Sequence, residues 1–164
     1  MKKAVWSAVT AVAFLACAGT ASAQLATQNI NATVNINNLA RLDVSGDVNF
    51  PDTDPDLFAT MSAPAITVGA RARISPSQDL IVTVQAAADY FDVGTSTIPV
   101  TGLTWTATGS AFSNGSMLAA SPVTLAAWTG PANQSGTQTY TLPNLWSYAP
   151  GTHTVVLTYT LTTP

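Results

Sequence analysis

The chain contains no glutamate, and its only cations are Lys2, Lys3, Arg41, Arg71 and Arg73. It has one cysteine, Cys17, and one histidine, His153. Each shortage removes a class of chemistry. A single thiol can form no intrachain disulfide and no cysteine-based zinc site. Past Lys3 there is no amine for Schiff-base catalysis, and one imidazole leaves most general acid–base schemes without their parts. Serine and aspartate are plentiful, yet nothing around them resembles a nucleophile elbow, so His153 reads as a corner or strand-end residue. The missing Glu and scarce Lys also count against helix, because those residues best occupy exposed helical faces, whereas the abundant Thr favours strands. The expectation is an all-β protein with no catalytic site and no cofactor.

The first residues, MKKAVWSAVTAVAFLACAGTASAQ, have the layout of an export signal. Lys2 and Lys3 form a basic start, Ala4 to Ala18 an apolar stretch, and Ala21-Ser22-Ala23 the small residues preceding a cleavage point. The apolar stretch is shorter than the roughly 20 residues of a membrane span. Residues 1–23 are therefore read as a cleaved signal peptide, with lipidation at Cys17 as the rival. No membrane insertion is expected after its removal, and the product would be periplasmic, at the cell surface or extracellular. Residues 24–164 then form a single domain without a thiol, with three arginines against eight aspartates, a net charge of −5. A lysine-free acidic surface is a poor match for nucleic acid or anionic membrane, whose affinity rests on cations.

Along the rest of the chain, period-2 patterns alternate with turn signals. Ala32, Val34 and Ile36 alternate with Asn and Thr, and Leu42 and Val44 follow a break near Asn38. Ile66, Val68, Ala70, Ala72 and Ile74 share one face; Thr67, Arg71 and Arg73 share the other, where the arginines are expected to pair with aspartates. Leu80, Val82 and Val84 form another face, as do Leu103, Trp105 and Ala107. Asn114-Gly115 reads as a type I′ hairpin turn. The stretch "TGPANQSG" reads as a polar loop, followed by a strand with Tyr140 and Leu142 facing alike. The final strand, residues 154 to 162, carries Val155, Leu157, Tyr159 and Leu161 inward. About seven or eight strands of this kind predict an immunoglobulin-like antiparallel β-sandwich.

The segment "LWSYAPGTHTVVLTY" resembles the corner that precedes strand F of immunoglobulin-like and fibronectin-like domains. Pro150-Gly151-Thr152 makes the turn, His153 stands where Tyr is usual, and Tyr148 is an alternative aromatic. If the last strand is F-like, a G strand is missing and an apolar groove lies beside unpaired backbone groups. Residues 24–38 form an arm suited to fill it with Ala32, Val34 and Ile36, either in the same chain or in a neighbour by β-strand addition. An exported Thr-, Ala- and Asn-rich β-domain with such an arm and a "VVLTYTLTTP" end resembles bacterial fimbrial or spore-coat-type subunits of the chaperone-usher kind. It departs from them in lacking a disulfide and in placing Tyr159 five residues from the end. The resemblance implies a structural or adhesive surface protein whose partners are its own copies or other surface subunits.

Two further sites were weighed. Asp52, Asp54 and Asp56 alternate in an acidic segment that could offer oxygens to a hard cation, but without the Gly and Glu of an EF-hand loop. Local turns stiffened by Pro51 and Pro55 are the simpler account. Among the tryptophans, Trp105 is in phase with the core and Trp146 is expected to plug one end of the fold. Trp128 is out of phase with Val123 and Leu125, which puts it at an edge or on the outside, where, if exposed, it would be a contact for a glycan or protein. A self-contained secreted module binding through that aromatic patch is the alternative function.

Overall fold

The computed structural model describes residues 28, 30–93, 96–119 and 121–164. Residues 1–23, with Cys17, lie outside the described residues. The chain divides into two units, Met1–Asn35 and Ile36–Pro164. In the first, the described residues belong to no strand and are exposed.

The second unit is all-β and antiparallel, and no described helix is long and apolar enough to cross a membrane. Its strands are β1 (Leu39–Ser45), β2 (Thr60–Ser62), β3 (Ile66–Arg73), β4 (Asp79–Ala86), β5 (Tyr90–Val93), β6 (Ser96–Pro99), β7 (Thr104–Ala107), β8 (Gly115–Ser116), β9 (Val123–Thr129), β10 (Ala132–Pro143) and β11 (Leu157–Thr162). One sheet runs β1-β3-β10-β7-β8, with β2 also on β10; a second runs β11-β4-β9; β5 and β6 form a hairpin. The strands beyond the seven or eight expected include β2, β5, β6 and β8, pieces of two to four residues, too short to establish a period.

The period-2 reading holds where strands are longest. In β3, Ile66, Val68, Ala70 and Ala72 are buried and Thr67, Arg71 and Arg73 exposed; in β4, Leu80, Val82, Val84 and Ala86 are buried. These faces meet Leu103, Trp105, Leu125, Tyr140 and Leu142 in one hydrophobic core shared by both larger sheets. Burial of this kind contributes about 25 cal/mol per Å² of apolar surface and dominates the fold's stability.

Three local readings are corrected. The polar stretch before Thr137 is strand, not loop: β10 starts at Ala132 and pairs Asn133 with Arg71 and Ser135 with Gly69 of β3. Ladder bonds use backbone groups alike in any residue, so polar side chains do not prevent pairing on a wet face. The turn is confined to Gly130 and Pro131; Gly130 is at φ 80° and its N–H donates to the Gln78 carbonyl at 2.8 Å. Asn114-Gly115 is no hairpin tip either. Gly115 pairs with Trp105 in the β7–β8 ladder, and the left-handed glycine of this connection is Gly109, φ 101°. A Cβ on Gly115 would run into the Trp105 ring, so glycine is required here by close approach rather than by turn geometry.

Trp128 is the third. Opposite β4, the register slips between Val82 and Thr83, so that Ala126 pairs with Val82 but Thr124 with Thr83. This bulge at Leu125 shifts the alternation by one residue. Leu125 and Ala126 are both buried, and Trp128 turns back to lie half-buried against the core.

Candidate functional site

The segment between β7 and β9 joins the two larger sheets on one side. The Met117 N–H donates to the Leu103 carbonyl at 2.8 Å, and the Ser113 N–H to the Leu125 carbonyl of β9 at 2.9 Å. On the opposite side stand β1, paired only with β3, and β11, paired only with β4. Among the described residues no strand lies between them.

The space between is a groove of about 760 Å³. Leu42 and Val44 of β1 form one wall, and Val155, Leu157 and Tyr159 the other. Its floor is core: Ile66, Phe91 and Leu103 line it although each is buried. Asp47 is the one charged residue on its wall. Leu157, Tyr159 and Leu161 alternate as half-buried positions between exposed threonines. Leu161 faces the same way but is not part of the wall.

The ladder fixes which backbone groups face the opening. The Val156 carbonyl accepts from the Ala87 N–H at 2.9 Å, and Leu157 stands opposite Ala86. Hydrogen-bonded and non-bonded pairs alternate in an antiparallel ladder. Thr158, Thr160 and Thr162 therefore bond to β4, while Leu157, Tyr159 and Leu161 turn their N–H and C=O groups toward the open edge. Apolar side chains and unused backbone groups thus belong to the same three residues.

Tyr159 also ties this edge to the other sheet. The Tyr140 hydroxyl donates to the Tyr159 hydroxyl at 2.7 Å, and Tyr159 donates to Gln138 Oε1 at 2.9 Å. Burial raises the Tyr140 hydroxyl pKa to about 12, partly offset by its hydrogen bonds, and burial next to Tyr140 raises that of Tyr159 further. Gln138 is fully buried and its Nε2 has no partner.

The expected site residues are therefore distributed as follows. Val155, Leu157 and Tyr159 come together in the groove. Ile36 of the arm is 63% exposed and Val34 77%, with Ala32 exposed as well, and none of the three is in a strand. Asp54 and Asp56 are engaged locally: Asp54 Oδ1 accepts the Asp56 N–H at 2.9 Å, and Asp56 Oδ1 accepts Trp146 Nε1 at 3.0 Å. Asp52 lies on the wall of a second cavity of about 800 Å³ next to the corner. No group of three or more metal-ligating side chains occurs among the described residues.

Trp146 does not plug the fold. It is 71% exposed, held at the surface by its bond to Asp56. At the corner, His153 Nε2 donates to the Ala149 carbonyl at 2.8 Å, so the histidine spans the turn where a tyrosine was expected. Arg71 and Arg73 do not pair with an aspartate among the described residues, contrary to expectation. Arg73 Nε donates to the Asn37 carbonyl at 3.1 Å, and among the described residues the ion pair is Arg41–Asp43 at 2.8 Å.

Leu42, Val44, Ile66, Phe91 and Leu103 were not anticipated as groove residues. The alternation of Leu42 and Val44 was legible, but not that β1 would stand across from the last strand. No protein-family model matches the chain, and no curated protein matches it.

Proposed function

We propose that this protein is an exported, non-enzymatic structural subunit: an immunoglobulin-like β-sandwich open along one seam, which accepts the N-terminal arm of another copy as its missing strand. The observation that carries this reading is the groove, where Leu157 and Tyr159 present apolar side chains and outward backbone groups together, a row that Leu161 continues beyond the wall. An edge of this kind is a template for another strand. The arm has the matching form. Ile30, Ala32, Val34 and Ile36 alternate with polar residues, all are exposed, and no charged residue occurs between Gln24 and Leu39. Such a strand would lay apolar knobs into a nearly uncharged groove without desolvating an ion. The basic start, apolar stretch and Ala21-Ser22-Ala23 support export. Trp128, half-buried against the core, lends the glycan alternative less support than the groove lends strand addition.

Deletion of residues 24–38 tests the reading, with a synthetic peptide of residues 28–38 added back. The shortened protein is expected to lose concentration-dependent polymers and to melt at a higher temperature with peptide. The gain should be about 2.7 kcal/mol at a hundredfold excess over Kd. A melting temperature indifferent to the peptide would remove the arm as the occupant.

A further inference from the structure

Every arginine of the chain lies on one small area, the outward face of β1 and β3. Arg41 stands directly opposite Arg71 in the ladder, and Arg73 stands opposite Leu39, one step along the same face. Like charges directly opposite are destabilising. Only one of the three is neutralised: Arg41 places Nε and Nη2 on Asp43 Oδ1, each at 2.8 Å. Arg73 uses Nε on the Asn37 carbonyl and keeps its terminal nitrogens, and Arg71 has no partner among the described residues. The next strand continues the face with exposed Asn133 and Ser135. In a chain with this excess of acid, a concentrated cationic face retained at a cost to the sheet is suited to a carboxylate partner, which guanidinium groups bind through paired, planar hydrogen bonds.

The complementary surface is in the same sequence. Asp47, Asp52, Asp54 and Asp56 are all exposed within ten residues that also contain Pro51 and Pro55. The tip is held rigid: the Leu57 and Phe58 N–H groups donate to the Asp54 carbonyl, and the Asn144 side chain donates to the Thr53 and Phe58 carbonyls. Asp54 and Asp56 each use one carboxylate oxygen locally and keep the other, whereas Asp47 and Asp52 have no partner among the described residues. A prong fixed in advance loses little entropy on binding.

We infer that the arginine face of β1 and β3 docks the 47–56 prong of a second copy. Because the two patches differ, the contact either closes as a reciprocal two-fold pair, each face holding the other copy's prong, or propagates head-to-tail into rings or filaments. It leaves Leu157 and Tyr159 of the groove untouched, although Asp47, at the start of the prong, also lines the groove. Exposed ion pairs contribute only about 0–1 kcal/mol each, so the contact is weak between two molecules and gains strength when many copies are already linked.

The test uses two variants of the full chain, Arg71→Glu/Arg73→Glu and Asp52→Arg/Asp56→Arg, whose acidic positions lie off the groove wall, and measures sedimentation at low and high salt. Wild-type protein should show association that weakens by roughly tenfold or more as salt screens the charges. Each variant alone should lose that salt-sensitive part while keeping the salt-resistant part. Their equimolar mixture should regain a salt-sensitive one-to-one pairing, because one supplies an intact face and the other an intact prong. Variants that associate like wild type would overturn the proposal. So would loss in both without recovery on mixing, including the case in which only an acidic polysaccharide binds the face. Should a charge reversal disturb folding, Arg71→Gln/Arg73→Gln mixed with Asp52→Asn/Asp56→Asn reads the same recovery.

Discussion

The two seams of the molecule face the same task by opposite means. Between β7 and β9, one connecting segment bonds to both larger sheets, and its own Phe112 and Met117 are buried together with Trp105 of β7. Between β1 and β11 nothing among the described residues does so, and Leu42, Leu157, Tyr159 and Leu161 stay half-buried. The same kind of apolar side chain is thus core on one side and wall on the other. Burial here depends on a covering segment, not on residue type.

The largest expected difference between the seams comes from large-to-small substitution. Trp105→Ala removes a buried ring together with its bond from Nε1 to the Ser113 carbonyl, and should cost about 3–5 kcal/mol in chemical denaturation. Leu161→Ala, at a half-exposed position of the open seam, should cost no more than about 1–2 kcal/mol, below the usual range for a fully buried leucine. Equal losses would mean that the open seam is as well covered as the closed one.

A smaller effect isolates the polar link across the open side. Tyr159→Phe strands the Tyr140 donor and removes the donor to Gln138, which should cost about 1–3 kcal/mol. Tyr140→Phe leaves the Tyr159–Gln138 bond in place and should cost less. The reverse order would show that Tyr159 is not the bridge.

The last difference is silent at neutral pH. Tyr140 and Tyr159 titrate above their ordinary value of 10.0 in the folded protein, so the folded state holds their protons more tightly than the unfolded chain. Their contribution is intact below about pH 10 and is lost as pH rises from there through the folded pKa of Tyr140, about 12. Denaturation midpoints should be flat between pH 7 and 9.5 as far as tyrosines are concerned. They should fall above that, and the fall should be smaller in a Tyr140→Phe/Tyr159→Phe variant.

Much of this was legible before the structure. The inward faces of β3, β4 and β10, the core position of Trp105 and the inward order of Leu157, Tyr159 and Leu161 follow from period 2 alone, because buried strands admit little else. What failed was non-local or involved a single inserted residue. Trp128 was misplaced because a one-residue bulge at Leu125 reverses the phase of everything after it. Trp146 was misplaced because its fixing partner, Asp56, is distant in sequence. The opposite wall of the groove, Leu42 and Val44, needed the knowledge that the first and last strands border the same gap, which no local pattern carries.

The long strand β10 has a consequence for how the molecule forms. It bonds to β2, β3 and β7, all upstream, so the β3 pairing cannot be completed before Gln138 is made, the β7 pairing before Thr141 and the β2 pairing before Pro143. Until β10 is made β3 lacks a central neighbour and its apolar row has no lid. Loop-closure entropy makes such late, distant pairing slow. A chain that delays its own folding in this way stays threadable for longer, and is vulnerable to clumping for the same interval.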